Sequence, residues 1–537
     1  MKTYWLAALA AFGTLAAGGA AAGEDKWGAH LDLEGKAGTK RNLGEADLFL
    51  PVAQDDRTLL FADLRTRLDD EGSREGNFGL GIRRMLESGW NLGGYGFLDR
   101  RRSTYSNYFN QMTVGAEALS LDWDFRVNGY VPVGRTSYQE DSLSTAEISG
   151  AGVIFRGGEE RSLGGFDAEI GWRIPIFADD ADRQVRVYAG GYRFADEGIP
   201  MVAGPRGRAE MVFDEVPGLW EGSRLALGAE LQNDDPRGTQ GFLSARLRIP
   251  LQAGAKPSRL TPMERRMADP IVRDIDVVAQ AGAFGAAETA TTTGGNAISV
   301  VSSATTTGAD LPAAITAAGA NSTVILSGSF SPTATTTLQT GQTVMGGGSL
   351  TVRSPSGRTA TLTLSSATVS TTIAAAGAAT TTPGFMMATD STLTGLTISF
   401  SRSAGNGAYG VYATNISGAT ISNNTITGTE TGANTGAGVV IGDGSSNITV
   451  SNNTITGTTG AGANAFALGV VNAGGGAAAT VTGNTLSASG GSTNNYFLFS
   501  NNGTFNTGST GNVKGSGTCS SAGTTGNASF TDGSTCP

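Results

Sequence analysis

Histidine is almost missing from this chain. His30 is the only one in 537 residues, which argues against His-based metal sites and against a Ser-His-Asp triad. Cysteine is nearly as scarce, and both copies, Cys519 and Cys536, fall at the far C-terminal end. Past the N-terminal stretch no run reaches 18 apolar residues, so no helix is expected to span a membrane. A basic surface is missing too: the formal charge is −10, which leaves no electrostatic reason to seek nucleic acid. Charge of either sign nearly vanishes after Ala283, where only Glu288, Asp310, Arg353, Arg358, Asp390, Arg402, Glu430, Asp443, Lys514 and Asp532 remain. Glycine is abundant, at 80 residues, but without a Gly-X-Y period, so collagen is excluded. The length exceeds one ordinary domain.

What is present begins with an export signal. Lys2 supplies a positive start, Trp5 to Phe12 opens an apolar core, and Ala20-Ala21-Ala22 offers a cleavage site before Gly23. Residues 1–22 are therefore expected to be a signal peptide. From Trp27 to Leu251 the pattern has period two. Leu121, Trp123, Phe125 and Val127 alternate with Asp122, Asp124, Arg126 and Asn128. Phe166, Ala168, Ile170 and Trp172 alternate with Asp167, Glu169, Gly171 and Arg173, and similar stretches carry Arg186, Glu230, Arg246 and Arg248. Successive strand side chains point to opposite faces, so each segment has an apolar and a charged face. A soluble β-sandwich would also alternate. Segment length favours a transmembrane antiparallel barrel. Aromatic residues near segment ends, such as Trp90, Tyr95, Phe97, Tyr105, Tyr108, Phe109 and Tyr130, suit interfacial girdles. On that reading Asp124, Arg126, Glu169, Arg173, Arg186, Glu230, Arg246 and Arg248 line the lumen. Thirteen segments qualify as strands, one more than an even count allows, the weakest being 29–35 and 149–155.

Several blocks in order resemble the β-domain of the inverse autotransporters, the intimin and invasin family. They include Gly44-Glu45-Ala46-Asp47, Pro51-Val52-Ala53-Gln54-Asp55, Leu59-Leu60-Phe61-Ala62-Asp63-Leu64-Arg65 and Gly76-Asn77-Phe78-Gly79-Leu80-Gly81-Ile82-Arg83. Gly93 to Arg100, Gly115-Ala116-Glu117 and Phe125 to Pro132 continue the likeness, which covers most of 27–133. The resemblance implies a twelve-stranded outer-membrane barrel that carries its own C-terminal passenger to the surface. Only a few residues separate Gly23 from the first strand, so a peptidoglycan-binding domain before the barrel is not expected.

An even strand count returns the chain to the side it entered from. A passenger bound for the other side must then cross the pore. Residues 252–284 suffice, at about 100 Å fully extended against roughly 30 Å of hydrocarbon. Thr261 and Pro262 read as N-cap and N1 of a short helix with Glu264 in its first turn, and Pro270 stops it. Arg265, Arg266, Asp269, Arg273, Asp274 and Asp276 are expected to pair with lumen charges such as Glu169, Arg186 and Arg246. An exposed interdomain linker is the alternative. Ser258 to Met267 and Val272 to Val278 also resemble the family's linker.

The tail, residues 285–537, repeats. Ile421-Ser422-Asn423-Asn424-Thr425-Ile426-Thr427-Gly428-Thr429 recurs as Val450-Ser451-Asn452-Asn453-Thr454-Ile455-Thr456-Gly457-Thr458, then as Val481-Thr482-Gly483-Asn484-Thr485-Leu486-Ser487. The asparagines are spaced 29 and 31 apart. Short β-runs split by Asn and Gly turns describe coils of a parallel β-helix, with Asn424, Asn453 and Asn484 stacked as an amide ladder. Leu311 to Ile315, Ser322 to Leu326 and Leu338 to Gly348 resemble the opening coils of pectate-lyase-like, right-handed β-helices. Immunoglobulin-like repeats and disorder are the alternatives. Cys519 and Cys536 in an exported chain are expected to form a disulfide that caps the last coil.

The expected architecture is all-β: a barrel over 23–251, a linker threaded through its lumen over 252–284, and a β-helical passenger over 285–537. The expected function is self-export and surface display of an adhesin, without enzymatic activity or cofactor. Its partners would be outer-membrane lipid, the barrel-assembly and periplasmic chaperone machinery, and an extracellular ligand such as a glycan, surface or cell. A polysaccharide-active enzyme and a porin with an unrelated tail are the competing readings.

Overall fold

The computed structural model describes residues 26–251, 260–274, 276–373, 382–403, 407–432, 434–460 and 464–536. The expected signal peptide and linker residues 252–259 lie outside the described residues. The chain forms two units. One holds the described residues to Glu140 together with Glu159–Phe284, and the other holds Asp141–Gly158 together with the residues from Gly285 onward.

The first unit is a closed antiparallel barrel. Its first seven strands are β1 (His30–Gly38), β2 (Leu43–Gln54), β3 (Thr58–Asp69), β4 (Arg74–Met85), β5 (Trp90–Arg102), β6 (Tyr108–Ser120) and β7 (Trp123–Val133). Four short strands follow: β8 (Ser137–Gln139), β9 (Thr145–Ser149), β10 (Gly152–Arg156) and β11 (Glu159–Ser162). The wall resumes with β12 (Gly164–Ile174), β13 (Arg183–Ala195), β14 (Val202–Asp214), β15 (Arg224–Asp234) and β16 (Gly238–Pro250). The order β1-β16-β15-β14-β13-β12-β7-β6-β5-β4-β3-β2 closes on itself through β1 and β16, with His30 opposite Pro250. The stretch 29–35 thus belongs to a wall strand. The stretch 149–155 does not: it forms the β9–β10 hairpin, whose sheet belongs to the second unit. That removes the odd strand, leaving twelve.

The barrel is inside-out relative to a soluble protein. Along β4, Glu75, Asn77 and Arg83 are at most 5% exposed, whereas Phe78, Leu80 and Ile82 are 46–50% exposed. A water-facing sandwich would reverse this; a wall between lipid and a polar lumen requires it. Closure leaves no unpaired edge. The aromatic assignment needs correction. Tyr95, Phe97, Phe109 and Tyr130 are buried, while Trp123 and Trp172, 6.4 Å apart, remain on the outside. The reason is parity: Tyr95 and Phe97 share the face of Asp99, and Leu92 and Leu98 take the lipid side. Room for the inward rings comes from glycine. A side chain at Gly79 or Gly171 would strike the ring of Phe97 or Tyr188 on the adjoining strand.

The second unit is a parallel β-solenoid with three strand columns of eight, seven and seven rungs. Its registers match the repeats read in the sequence: Ile421 faces Val450 and Val450 faces Val481. Ile398, Ile426, Ile455 and Leu486 stack inside the coil. An α-helix, Leu311–Ala318, packs Leu311 and Ile315 into this core. Each amide of the ladder donates to the next: Asn424 to Asn453 (3.1 Å), Asn453 to Asn484 (2.9 Å) and Asn484 to a fourth member, Asn512 (3.2 Å). The same oxygens accept the backbone N–H of the preceding rung's asparagine. The residue before each member sits at positive φ: Asn423, Asn452, Gly483 and Gly511. Only Gly, or Asn at modest cost, tolerates that conformation, which accounts for the Asn-Asn and Gly-Asn pairs.

At the distal end Cys519 and Cys536 form a disulfide with Cα atoms 5.9 Å apart. It ties the last strand of one column to a terminal hairpin, Ala528–Ser529 with Thr535–Cys536, and restrains a loop worth about 3 kcal/mol in the chain-entropy description. Beside it, a hydrogen bond from Lys514 holds the Asp532 carboxyl well below its ordinary value.

Replacing a ladder member strands buried donors and carbonyls on both neighbouring rungs. Asn453→Ala is expected to cost about 2 kcal/mol or more. Pulse proteolysis of the full-length chain across a urea series measures this, and an unchanged midpoint would remove the ladder from the solenoid's stability.

Candidate functional site

The barrel lumen is where charge concentrates. Much of it is paired within the wall. Arg126 lies between Asp124 (3.3 Å) and Glu169 (3.1 Å), and Arg208 reaches Glu169 at 2.8 Å. Arg248 forms a two-pronged pair with Asp32, both contacts 2.9 Å. Arg246 pairs with Glu34 (2.6 Å), Lys36 with Glu230 (3.4 Å), Arg186 with Asp124 (3.1 Å) and Arg173 with Asp122 (2.7 Å). All eight lumen residues named from the sequence therefore have a charged partner on the barrel.

The linker occupies the remaining space and runs the length of the wall. Its first described turn, helix α1 (Pro262–Arg265), carries a capping box: the Thr261 N–H donates to the Glu264 carboxylate (2.7 Å) and the Glu264 N–H to the Thr261 hydroxyl. Trp27 Nε1 donates to the Glu264 carbonyl (2.8 Å), and Lys26 pairs with its carboxylate (2.7 Å). These contacts lie near the chain ends of β1 and β16. A 3₁₀ turn, Arg266–Ala268, follows and stops before Pro270. Met267 and Ile271 bury against Phe49, Leu59, Phe61, Tyr95 and Phe97. Farther on, Arg101 donates to the Val277 carbonyl near the opposite end of β5. The linker leaves as a strand, β17 (Ala279–Gly282), paired with β11 in a small sheet that also holds β8.

Each of the six linker charges named from the sequence meets opposite charge on the barrel. Arg265 pairs with Asp182 (2.8 Å), and Arg266 with Asp124 (2.6 Å). Asp269 pairs with Arg224 (2.6 Å). Arg273 pairs with Asp99 (3.0 Å) and lies over the Phe97 ring (4.6 Å). Asp274 pairs with Arg206 (3.4 Å), and Asp276 with Arg41 (2.7 Å) and Arg101 (3.2 Å). The partners named beforehand, Glu169, Arg186 and Arg246, are not the ones used; they pair within the barrel, with Arg126 and Arg208, with Asp124, and with Glu34. Asp182, Asp99, Arg224, Arg206, Arg41 and Arg101 escaped notice, since alternation assigns a face but not a height along the barrel. A polar cavity of about 100 Å³ remains between linker and wall.

The solenoid's isolated carboxylates have local roles. Asp390 occupies a left-handed turn position, Glu430 is buried and accepts the Gly432 N–H (2.8 Å), and Asp443 accepts the Ala473 N–H. The outer face of one column carries aromatic rings instead. Tyr409, Phe466 and Tyr496 share one register line, with Ala437 between the first two. Tyr412 and Phe499 share the next, with Val440 and Gly469 between. Phe466 and Phe499 stack at 4.4 Å, and Tyr409 and Tyr412 lie 5.5 Å apart. Burial, followed by Tyr412, raises the Tyr409 phenol above its ordinary value, so it stays neutral.

An inside-out, closed, even-stranded barrel defines a β-barrel membrane protein. Residues 25–190 match the family described as "Inverse autotransporter, beta-domain". Residues 25–190 are accordingly an inverse autotransporter β-domain within an outer-membrane barrel, and a β-solenoid follows the barrel. No curated protein matches the chain. Among solved structures, it is similar to a chain from a study of in-meso crystallisation of membrane proteins (14% identity, TM-score 0.36, 48% of this chain and 100% of that one). It is also similar to the NanC porin (10%, 0.27, 41% and 99%). Outer membrane phospholipase A from Escherichia coli is a further likeness (10%, 0.26, 42% and 98%).

Reversing one linker charge tests the plug. Arg273→Glu sets a third carboxylate beside Asp99 and Glu75 and is expected to cost about 3–5 kcal/mol of linker docking. Planar-bilayer recordings should then show a conducting pore where the wild type is closed, and the added Asp99→Arg should close it again.

Proposed function

We propose that the barrel exports the C-terminal solenoid through its own lumen and then holds it at the cell surface as an adhesin. The observation that carries this reading is the single lengthwise pass of the linker. The wall begins at His30 and finishes at Pro250, directly opposite each other on adjoining strands, so the chain leaves the last strand on the side where the first began. The linker then travels from the Trp27 level to the Arg101 level, the course an exported tail requires.

The small residual cavity speaks against a porin at rest. The adhesin part rests on the solenoid's surface. Hydroxyl and amide side chains repeated rung by rung make many weak contacts that add by multivalency. The strands Ala408–Ala413, Gly436–Ile441, Asn464–Val471 and Asn494–Asn501, which bear the aromatic strip, carry no charged residue. Partly exposed rings among neutral polar groups suit the C–H faces of sugars, and a neutral glycan is the ligand class this surface fits.

Intact cells treated with a protease test the export step. Residues beyond 285 should be cleaved or shed from outside, and a tail degraded only after the outer membrane is opened would overturn the reading. For adhesion, Phe466→Ala with Tyr496→Ala should lower the attachment of cells to a neutral polysaccharide surface about tenfold or more, as loss of two stacking rings implies. Release of soluble oligosaccharide would replace adhesion with an enzymatic role.

A further inference from the structure

We infer that the hairpin Thr145–Arg156, inserted between wall strands β7 and β12, is a folding template for the passenger. This rests on the export reading above and adds a role for a segment that reading leaves idle.

The hairpin is a structural part of the solenoid unit. β9 and β10 pair through a tight turn at Gly150 and Ala151, and β10 takes β18 (Ala287–Thr289) as its other neighbour, with Ile154 opposite Thr289. The turn also closes the solenoid's open edge. Ile298–Ser302 is the first rung of its column, with no rung before it, and its Val300 N–H donates to the Ala151 carbonyl (2.8 Å). The Ala290 N–H donates to the Val153 carbonyl (2.9 Å). Val153 and Phe155, at 1% and 0% exposure, pack with Ile298, Val300, Ile325 and Met345. Arg358 fastens the base of the loop: it pairs with Asp141 (2.7 Å) and donates to Ser144 Oγ (3.1 Å) and the Gly158 carbonyl (2.8 Å).

The solenoid sequence is adapted to this cover. One outward register line reads Val300, Ile325, Met345, Thr394, Ser422, Ser451 and Thr482. Its first three positions are apolar and the remaining four carry hydroxyls. The apolar part coincides with the rungs that meet Val153 and Phe155 and the hairpin Gly348–Leu364.

The order of events follows from chain connectivity. β7 and β12 flank the loop, so barrel closure sets it in place before any passenger residue passes the lumen. Residues 287–300 are the first to follow the linker. A lone parallel coil has no partner for its edge and must close a long loop before any contact rewards it. A preformed hairpin supplies both the hydrogen-bonding edge and the apolar cover. Each later coil then adds to an existing one, and folding on the far side draws the chain outward.

The test uses the full-length chain in cells, with an epitope at the C-terminus and surface appearance timed after a pulse of synthesis. Val153→Asp with Phe155→Asp should leave barrel assembly intact, as judged by heat-modifiable migration, yet slow epitope appearance at least several-fold. Arg358→Ala, which approaches the contact from the solenoid side, should slow it as well. Glu147→Gln, on an exposed side chain of the same hairpin, should not. An unchanged rate in both the Asp variant and Arg358→Ala would overturn the template, even with a lower urea midpoint for the finished solenoid, since the hairpin would then be only a static cap. If the wild-type epitope never reaches the surface, the export reading itself falls, a different result from the preceding one.

Discussion

A charge held inside a narrow closed barrel has to be paired. The barrel's outer surface is committed to lipid by residues such as Leu80, Ile82 and Leu98, so its polar side chains have nowhere else to go. Removing one partner of a buried ion pair typically costs about 3–5 kcal/mol, whereas the complete pair contributes little. The lumen is therefore organised around satisfaction rather than attraction. Wall charges come mostly as wall pairs, such as Asp32 with Arg248, and the linker contributes three arginines and three aspartates to those that take more. Interleaved signs are what such a segment needs. A linker of one sign would leave half of those wall groups short and would be repelled by the rest.

The same arrangement reconciles a filled pore with a passage. Most linker partners also hold a wall partner: Asp124 has Arg126 and Arg186, Arg224 has Asp214, and Arg41 has Asp69. An empty, hydrated lumen is thus tolerable on the proposed export route. The tail has only ten charged residues beyond Ala283, so it presents few groups able to bind these wall pairs. The stretch that does engage them is the linker, through Arg266, Asp269, Arg273 and Asp276.

Much of this was legible without coordinates, and the gaps have physical causes. Period-two alternation identifies wall strands because a strand has only two faces, and the repeats identify rungs because parallel stacking aligns like with like. Asn424, Asn453 and Asn484 were visible for that reason. Asn512 was not, because the motif around it has decayed to Gly511-Asn512-Val513. The helix start at Thr261 and Pro262 was readable from local chemistry. The individual linker partners were not, since Asp182 with Arg265 or Arg206 with Asp274 depends on height along the wall, which pattern does not encode. The inward turn of Tyr95 and Phe97 was readable in principle from their parity with Asp99, but clustering near strand ends pointed the other way.

The β9–β10 hairpin marks the deeper limit of reading by pattern. Its alternation, with Val153 and Phe155 against Ile154 and Arg156, is that of a wall strand, and so it entered the count as one. Alternation reports that one face is buried without saying against what. What separates this hairpin from a wall strand is the length: β10 has five residues, where β4 has twelve. Five residues of strand reach about 17 Å, too short for a hydrocarbon layer of roughly 30 Å even when straight. A strand too short to cross, yet apolar on one face, must find its cover elsewhere. In this chain that cover is Ile298, Val300, Ile325 and Met345, and the line of the last three turns to hydroxyls once the hairpin is passed.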